Sequence, residues 1–279
     1  MSLESKKIAC VILSIGKRYE KLSLVSFNSF KIHNPVVNTY LINEKNLSDY
    51  SCSKYLGKIG IGILKYMLGY EIMKTKNYNK IIILGSDTIT CSRLDEFIDD
   101  QDSDIIATLD YPYQFYTNRA MSPDSETHLN ADVVCFNNLQ AISDIIKVSI
   151  YHPIYYEQGG LNEVVWMQNK YKTKIADYPY SSSKVIYNVR AKGNIIANTG
   201  EKPWKEYVSQ YKVRDNKLFS FDNKQIKVFH YCEGLGTLDE YNFNEILNWW
   251  IFSCFNEETK TFFKNVCGVG DFFEKRYEE

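Results

Sequence analysis

Five consecutive residues, Lys80-Ile81-Ile82-Ile83-Leu84, followed at once by Gly85-Ser86-Asp87-Thr88, constrain the fold more than any other stretch of the chain. A short, dense apolar run of this kind reads as a strand buried on both faces, and such strands belong to sheets that helices cover on both sides. The abrupt change to glycine and polar residues ends the strand where open α/β sheets gather their ligand sites, at the carboxyl ends of strands. Residues 8–13, 105–108 and 133–136 repeat the form. Helix-period segments stand between these runs. One covers about residues 19–30 and is broken by Asn34-Pro35, ahead of a β-rich stretch at 36–42. Ile59, Ile63, Tyr66, Tyr70 and Met73 recur at helical spacing, as do Leu139, Ile142, Ile145 and Ile146, and another helix starts near Gln158 and runs through Leu161, Val164 and Val165. Strands alternating with helices predict an α/β fold with a mixed, mostly parallel central sheet flanked by helices. Residues 178–183 and 188–203 carry Gly, Pro, Ser and Asn without periodicity and read as long loops, and residues 227–230 as a last short strand.

The charge balance narrows the function classes. With 33 basic and 34 acidic residues the formal net charge is -1, and no basic stripe stands out, which argues against a nucleic-acid binder. The apolar run at 8–13 is too short to span a membrane and lacks a signal-peptide cleavage pattern, and no other stretch is long and uncharged enough. The seven cysteines are scattered and form no CxxC pair, so neither a zinc ribbon nor a redox motif is indicated. A cytoplasmic location is expected, with a peripheral position at a membrane surface left open. Trp249, Trp250, Phe252 and Phe255 read as closing a core, with a membrane-surface or partner-binding helix as the alternative.

Asp87 sits just past a buried strand. A carboxylate there can help hold a divalent cation among hard oxygen ligands, which, like fixed cationic groups, would meet the concentrated charge of a diphosphate leaving group. Taken alone, the aspartate also reads as a turn or helix N-cap residue. Leu84-Gly85-Ser86-Asp87-Thr88 followed by Leu94-Asp95-Glu96-Phe97 resembles the DxD strand of the GT-A glycosyltransferases and the helix start behind it. Ile106-Ala107-Thr108-Leu109-Asp110 resembles the acceptor-side strand. Leu129-Asn130-Ala131-Asp132-Val133 resembles the Asn-Ala-Gly block, and Glu157-Gln158-Gly159-Gly160-Leu161-Asn162 an Asp-Gln-Asp-x-Leu-Asn block. Tyr187-Asn188-Val189 and Val228-Phe229-His230 follow in the family's order. The set spans about residues 8–234, and the nearest group is the retaining one that contains glycogenin and the bacterial lipooligosaccharide galactosyltransferases. Three departures stand out. Gly85 takes the place of the first Asp of the DxD motif, and Asp132 that of the glycine of the Asn-Ala-Gly block. Lys202-Pro203-Trp204 lies upstream of His230 instead of after it, so the pattern does not carry a phosphate contact over to Lys202.

The resemblance implies a GT-A (nucleotide-diphospho-sugar transferase) fold over residues 1–238, with residues 239–279 as a C-terminal helical extension packed on it. It implies transfer of a hexose from a nucleotide-sugar donor, a UDP-sugar, to a glycan, glycolipid or protein acceptor with retention. Asp87 and His230 are the implied ligands of a divalent metal, Mn2+ or Mg2+, with the loss of a carboxylate at Gly85 bearing directly on that metal. Gln158 is the candidate beneath the anomeric carbon, and Glu157 and Asp110 are placed to hold acceptor hydroxyls, or to act as general base in an inverting reaction. Ser14, Tyr19, Lys58, Ser86, Asn130 and Asp132 are the candidate donor contacts: Tyr19 as a stacking face for the base, Lys58 as a counter-charge to the diphosphate. Two other readings stay open at this level, an inverting transferase on the same fold and an inactive nucleotide-sugar-binding scaffold. A nucleotidyltransferase would carry a Gly-rich phosphate loop near the first strand, which Leu13-Ser14-Ile15-Gly16-Lys17-Arg18 matches poorly.

Overall fold

The computed structural model describes residues 7–110, 127–151, 156–176, 185–190, 209–220, 223–230 and 255–269. Among the described residues the central sheet holds six strands. β1 (Ile8–Ser14), β2 (Asn38–Asn43) and β3 (Lys80–Leu84) run parallel, with β1 between the other two. β6 (Leu129–Phe136) pairs antiparallel with both β3 and β5 (Ile105–Leu109), and β7 (Thr173–Ile175) closes the edge parallel to β5. β6 is therefore the one reversed strand in the order β2-β1-β3-β6-β5-β7. This is the mixed, mostly parallel sheet that the apolar runs predict.

Alternation along the strands divides the core into two layers. Ala9, Val11 and Leu13 of β1 and Ile81 and Ile83 of β3 face one side, against α2 (Ile61–Thr75), α4 (Leu139–Tyr151) and α5 (Tyr156–Asn162). Ile8, Cys10, Ile12, Ile82 and Leu84 face the other, against Phe30 of α1 (Glu20–His33) and Phe97 and Ile98 of α3 (Asp95–Asp99). Every residue of β1 and β3 is buried, at about 1.5–3 kcal/mol for each large aliphatic side chain. Lys80 is among them. Its ammonium donates to the carbonyls of Phe97 (2.6 Å) and Asp100 (2.5 Å) at the end of α3, so the helix terminus meets the charge that burial would otherwise disfavour.

A second, smaller sheet is absent from the sequence expectation. β4 (Thr88–Thr90) leaves the end of β3 and pairs antiparallel with β11 (Gln225–His230). β8 (Val185–Arg190) lies parallel to β11, so residues 188–190 form a strand where a loop was expected. β9 (Lys212–Arg214) and β10 (Lys217–Phe219) make a hairpin beside it. Its two-residue turn, Asp215-Asn216, has φ of 50° and 54°, the left-handed conformation that tight hairpins need and that Asp and Asn tolerate.

The helix expected near Gln158 begins at Tyr156, with φ of 49°, and continues after α5 as a π-helical turn over Glu163–Gln168. In the C-terminal stretch, α6 (Glu257–Asn265) is capped by Asn256, whose side chain accepts from Thr259 N and donates to the carbonyls of Ser209 and Tyr211. Trp249, Trp250, Phe252 and the segments around Lys202 and residues 178–183 lie outside the described residues. Among the described residues no helix is long and apolar enough to cross a membrane.

Candidate active site

Three strand ends converge on one cleft. The turn Gly85-Ser86-Asp87 follows β3, and the first residue of β4, Thr88, pairs with His230, the last of β11. That register brings His230 Nε2 to 3.1 Å from Asp87 Oδ1. The reversal of β6 brings Asp132 to the same end of the sheet, with Asp132 Oδ2 3.9 Å from His230 Nε2. Ligand atoms of Asp87, Asp132 and His230 all lie within 4.8 Å of one another. The turn is pinned from behind by buried hydroxyls of α1: Ser26 Oγ donates to Gly85 O at 2.8 Å and shares a 2.8 Å hydrogen bond with Thr88 Oγ1. Burial works against ionisation of Asp87, but His230, then a backbone hydrogen bond within the turn and then Lys65 outweigh it and hold the carboxyl down at about 2.

Gly85 explains how Asp132 fits. Gly85 N donates to Asp132 O at 2.8 Å, and a Cβ on residue 85 would stand 3.1 Å from the Cβ of Asp132. The space beside Asp87 holds one further carboxylate, and β6 supplies it.

The cleft has a volume of about 240 Å³. Opposite the acidic cluster it is walled by the start of α2, where Lys65 forms an ion pair with Asp132 Oδ1. Burial pulls the Lys65 ammonium below the usual lysine range, while Glu157 and Asp87 pull the other way. Glu157 also lines the cleft, and its carboxylate lies over Gly62 so closely that a Cβ there would overlap it. A carboxylate over the first turn of a helix sits in the favourable end of the helix dipole.

The remaining expected residues divide between the cleft and the layer behind it. Ser86 and Tyr19 line the cleft. Ser14 is buried at the end of β1, and its neighbours Leu13 and Ile15 line the cleft instead. Lys58 is exposed in the segment before α2 and is not part of the cleft wall, so the cation at the cleft is Lys65, one to two turns further along. Gln158, Asp110 and Asn130 form a polar cluster behind β6 together with His128. Gln158 Nε2 donates to Asp110 Oδ2 at 3.0 Å and to His128 Nε2 at 2.8 Å, and Asn130 Nδ2 donates to Asp110 Oδ1 at 3.3 Å.

Sequence reasoning missed Lys65 and His128. Lys65 stands three, four and seven residues before Leu68, Gly69 and Ile72, all buried, so it interrupts the apolar stripe of α2 at a core position. A lysine in that register is a readable signal, because lysine is rarely buried without a partner. His128 has no such signal, since it precedes the strand that carries the motif and its partners come from elsewhere in the chain.

The fold and site define an α/β protein with a mixed, mostly parallel central sheet and an acidic, histidine-bearing cleft at its strand ends. No family model matches the chain, and no curated protein matches its sequence. Solved structures resemble it in backbone outline. One is the galactosyltransferase LgtC in complex with donor and acceptor sugar analogs, at 15% identity and a TM-score of 0.49, over 80% of this chain and 87% of that one. Another is a glycosyltransferase involved in the glycosylation of the major capsid of PBCV-1, at 13% identity and a TM-score of 0.48, over 81% and 93%. The bifunctional glycosyltransferase WbbM matches at 11% identity and a TM-score of 0.49, over 83% of this chain and 47% of its own, so the chain spans about half of its length.

Proposed function

We propose that the chain is a glycosyltransferase that moves a hexose from a UDP-sugar to a glycan, glycolipid or protein acceptor, with retention of configuration. The observation that carries this reading is the convergence of Asp87, Asp132, His230 and Lys65 on one cleft at the strand ends. Two carboxylates and one imidazole nitrogen within 4.8 Å of one another fit a divalent cation that accepts hard oxygen and nitrogen donors, such as Mn2+ or Mg2+. When bound, such a cation supplies positive charge against a departing diphosphate. Lys65 adds a fixed cation beside it. Tyr19 offers a ring face to the base, and Ser86 a hydroxyl and backbone groups to the donor. Glu157, on the opposite wall, accepts hydrogen bonds from sugar or acceptor hydroxyls, and Asn130 and Asp110 fix the layer behind.

Retention is the reading the resemblance implies, with Gln158, from the polar cluster next to the cleft, as the candidate amide beneath the anomeric carbon. Inversion, with Glu157 or Asp110 as base, is separated by the anomeric configuration of the product in NMR. Residues 1–238 carry the transferase unit in this reading, with 239–279 packed on it through α6. The site of action is the cytoplasm, or a membrane surface where the acceptor is a glycolipid.

A second reading is binding of a nucleotide sugar without cation or transfer. It draws on the ion pair of Lys65 with Asp132, which already satisfies one of the carboxylates. Thermal stabilisation by UDP, GDP and dTDP with Mn2+, Mg2+ or EDTA tests both, since a ligand of the folded state raises stability by RT ln(1 + [L]/Kd). A Mn2+-dependent shift with UDP, followed by turnover of a UDP-sugar, is the expected result. A shift indifferent to EDTA without turnover favours the second reading, and no shift with any nucleotide sinks both.

A further inference from the structure

Further along α2 the chain lines a second cavity. Ile61, Gly62 and Lys65 belong to the cleft, whereas Met67, Tyr70, Glu71 and Lys74 face a groove bounded by α4 and by the short 3-10 helix Ser51–Tyr55. At about 1.5 Å of rise per residue, Glu71 stands about 14 Å beyond Gly62 along the helix axis, so the two sites are separate. The groove has a volume of about 590 Å³, against about 240 Å³ for the cleft. That volume suits one small organic molecule.

The floor of the groove is apolar. Met67, Tyr70 and Ile146 are part-buried and form the outer skin of the core beneath, with Cys52 buried beside them. The rim is cationic, with Lys54, Lys74 and Lys147 all exposed. Lys54 Nζ lies 5.2 Å from the ring centroid of Tyr55, and Lys74 Nζ 5.7 Å from that of Tyr70. Each stem thus runs over apolar surface and leaves its ammonium at the edge. Lys147 pairs with Asp144 at 3.2 Å, but among the described residues neither Lys54 nor Lys74 pairs with a carboxylate.

Glu71 is the one carboxylate among the described lining residues, and its oxygens are already used. Ser51 N donates to Oε1 at 2.7 Å, and Ser51 Oγ and Cys52 N donate to Oε2 at 2.8 and 3.0 Å. Burial works against its charge, but these donors, Ser51 ahead of Cys52, hold it below the usual carboxylate range. Glu71 therefore fastens the groove wall to α2, and two ammoniums stay unanswered above an apolar floor. Inorganic phosphate would answer the ammoniums and leave the floor bare. An uncharged chain would do the reverse.

We propose that this groove binds a single water-borne anionic amphiphile, whose aliphatic or ring body lies on Met67 and Ile146 and whose phosphate or carboxylate meets Lys54 and Lys74. The concave shape selects one enclosed molecule over a bilayer, which needs a protruding surface to enter. No residue of the cleft lines the groove, so the site stands independently of glycosyl transfer.

The test uses the full chain and three probes below their micellar concentrations: octyl phosphate, octyl glucoside and inorganic phosphate. In calorimetric titration octyl phosphate is expected to bind at least about tenfold more tightly than either of the others. The double variant Lys54→Gln/Lys74→Gln, which changes only exposed side chains, is expected to weaken octyl phosphate by about tenfold or more. Ser143→Trp fills the groove from α4 and is expected to abolish binding; if it does not fold, the lysine variant carries the comparison. Octyl glucoside that binds as tightly as octyl phosphate overturns the anion site, and inorganic phosphate that does so removes the role of the floor. Octyl phosphate binding unchanged in both variants places the ligand elsewhere and overturns the proposal. So does capture of the protein by phosphatidylcholine–phosphatidylglycerol vesicles through the same lysines when free octyl phosphate does not bind. Octyl phosphate bound in the groove of a protein that UDP fails to stabilise upholds the site while the transfer reading alone fails.

Discussion

Gly85 and Asp132 share one space across the pairing of β3 and β6. A Cβ on residue 85 would lie 3.1 Å from the Cβ of Asp132 and 3.0 Å from Asp87 Oδ1, tighter than side-chain carbons ordinarily approach. The acidic cluster therefore takes its second carboxylate from the reversed strand, and a glycine on the neighbouring strand is the condition for it.

Reciprocal exchange tests that dependence. Gly85→Asp alone forces a third acidic side chain into occupied space and is expected to destabilise by about 1–3 kcal/mol. Asp132→Gly alone removes a cation ligand and leaves Lys65 without its partner. The double variant Gly85→Asp/Asp132→Gly moves the carboxylate back across the strand pair and is expected to recover Mn2+ affinity to within about tenfold of wild type, some 1.4 kcal/mol. Titration of Mn2+ followed by electron paramagnetic resonance reads this directly. If the double variant binds Mn2+ no better than Asp132→Gly, the two positions are not interchangeable sources of one ligand.

Lys65 supports the same cluster from the opposite wall, and its removal separates two uses of Asp132. Lys65→Met keeps most of the side-chain volume and frees Asp132 from its ion pair. Loss of the fixed cation is expected to weaken UDP binding in EDTA by about tenfold or more, whereas Mn2+ affinity should hold or rise, because no ammonium competes for the carboxylate. Calorimetric titration with and without EDTA checks both halves. Unchanged UDP affinity in EDTA would make Lys65 a structural counter-ion alone.

Much of this site was legible in the chain because it follows short, strongly patterned strands. The run at 80–84 fixed where Asp87 would lie, and the apolar residues before His230 placed that residue at a strand end. What the pattern could not supply was the direction of β6, since a fully buried strand reads alike in either direction. Without that reversal, Asp132 has no reason to meet Asp87. β8 was hidden for another reason: its strand draws on pairing with β11, a partner some forty residues on, and not on local periodicity. The resemblance points to Lys58, a basic position ahead of the Asp-bearing strand, whereas Lys65 stands inside the apolar stripe of α2. The buried position turned out to be the one facing the cleft.

The network around Asp144 gives a prediction in pH. This carboxylate on α4 accepts from Tyr171 Oη at 2.6 Å and Gln140 Nε2 at 2.9 Å and pairs with Lys170 at 2.5 Å and Lys147 at 3.2 Å. Burial alone would raise its pKa, but these partners, Lys170 foremost, hold it well below the usual carboxylate range. Because the folded-state value lies below the unfolded one, the unfolded chain binds more protons in acid, and the stabilisation is complete above the unfolded value near 4 and lost as pH falls beneath it. Asp144→Asn is expected to cost about 1–3 kcal/mol at neutral pH and to flatten the fall in stability between about pH 5 and pH 2. Urea midpoints across that range check it. Parallel curves for the two proteins would remove Asp144 as the source of the acid sensitivity.

The aromatic contacts of α6 connect the C-terminal stretch to the candidate cation ligands. Phe229 of β11 lies 5.6 Å from Phe263 and 5.3 Å from Phe255 between ring centroids, and 6.4 Å from Tyr211. All four side chains are buried. The next residue in β11 is His230, whose position depends on the pairing of that strand with Thr88 of β4. Phe263→Ala leaves a cavity against Phe229 and is expected to destabilise by about 3–5 kcal/mol. If α6 and β11 unfold as one unit, the loss appears in the whole urea transition, and Mn2+ affinity falls with it, as His230 is held less firmly against Asp87. A variant that loses only α6, seen as early amide exchange there with the main transition and Mn2+ binding unchanged, would mean that the helix is an appendage and that the small sheet holds the histidine without it.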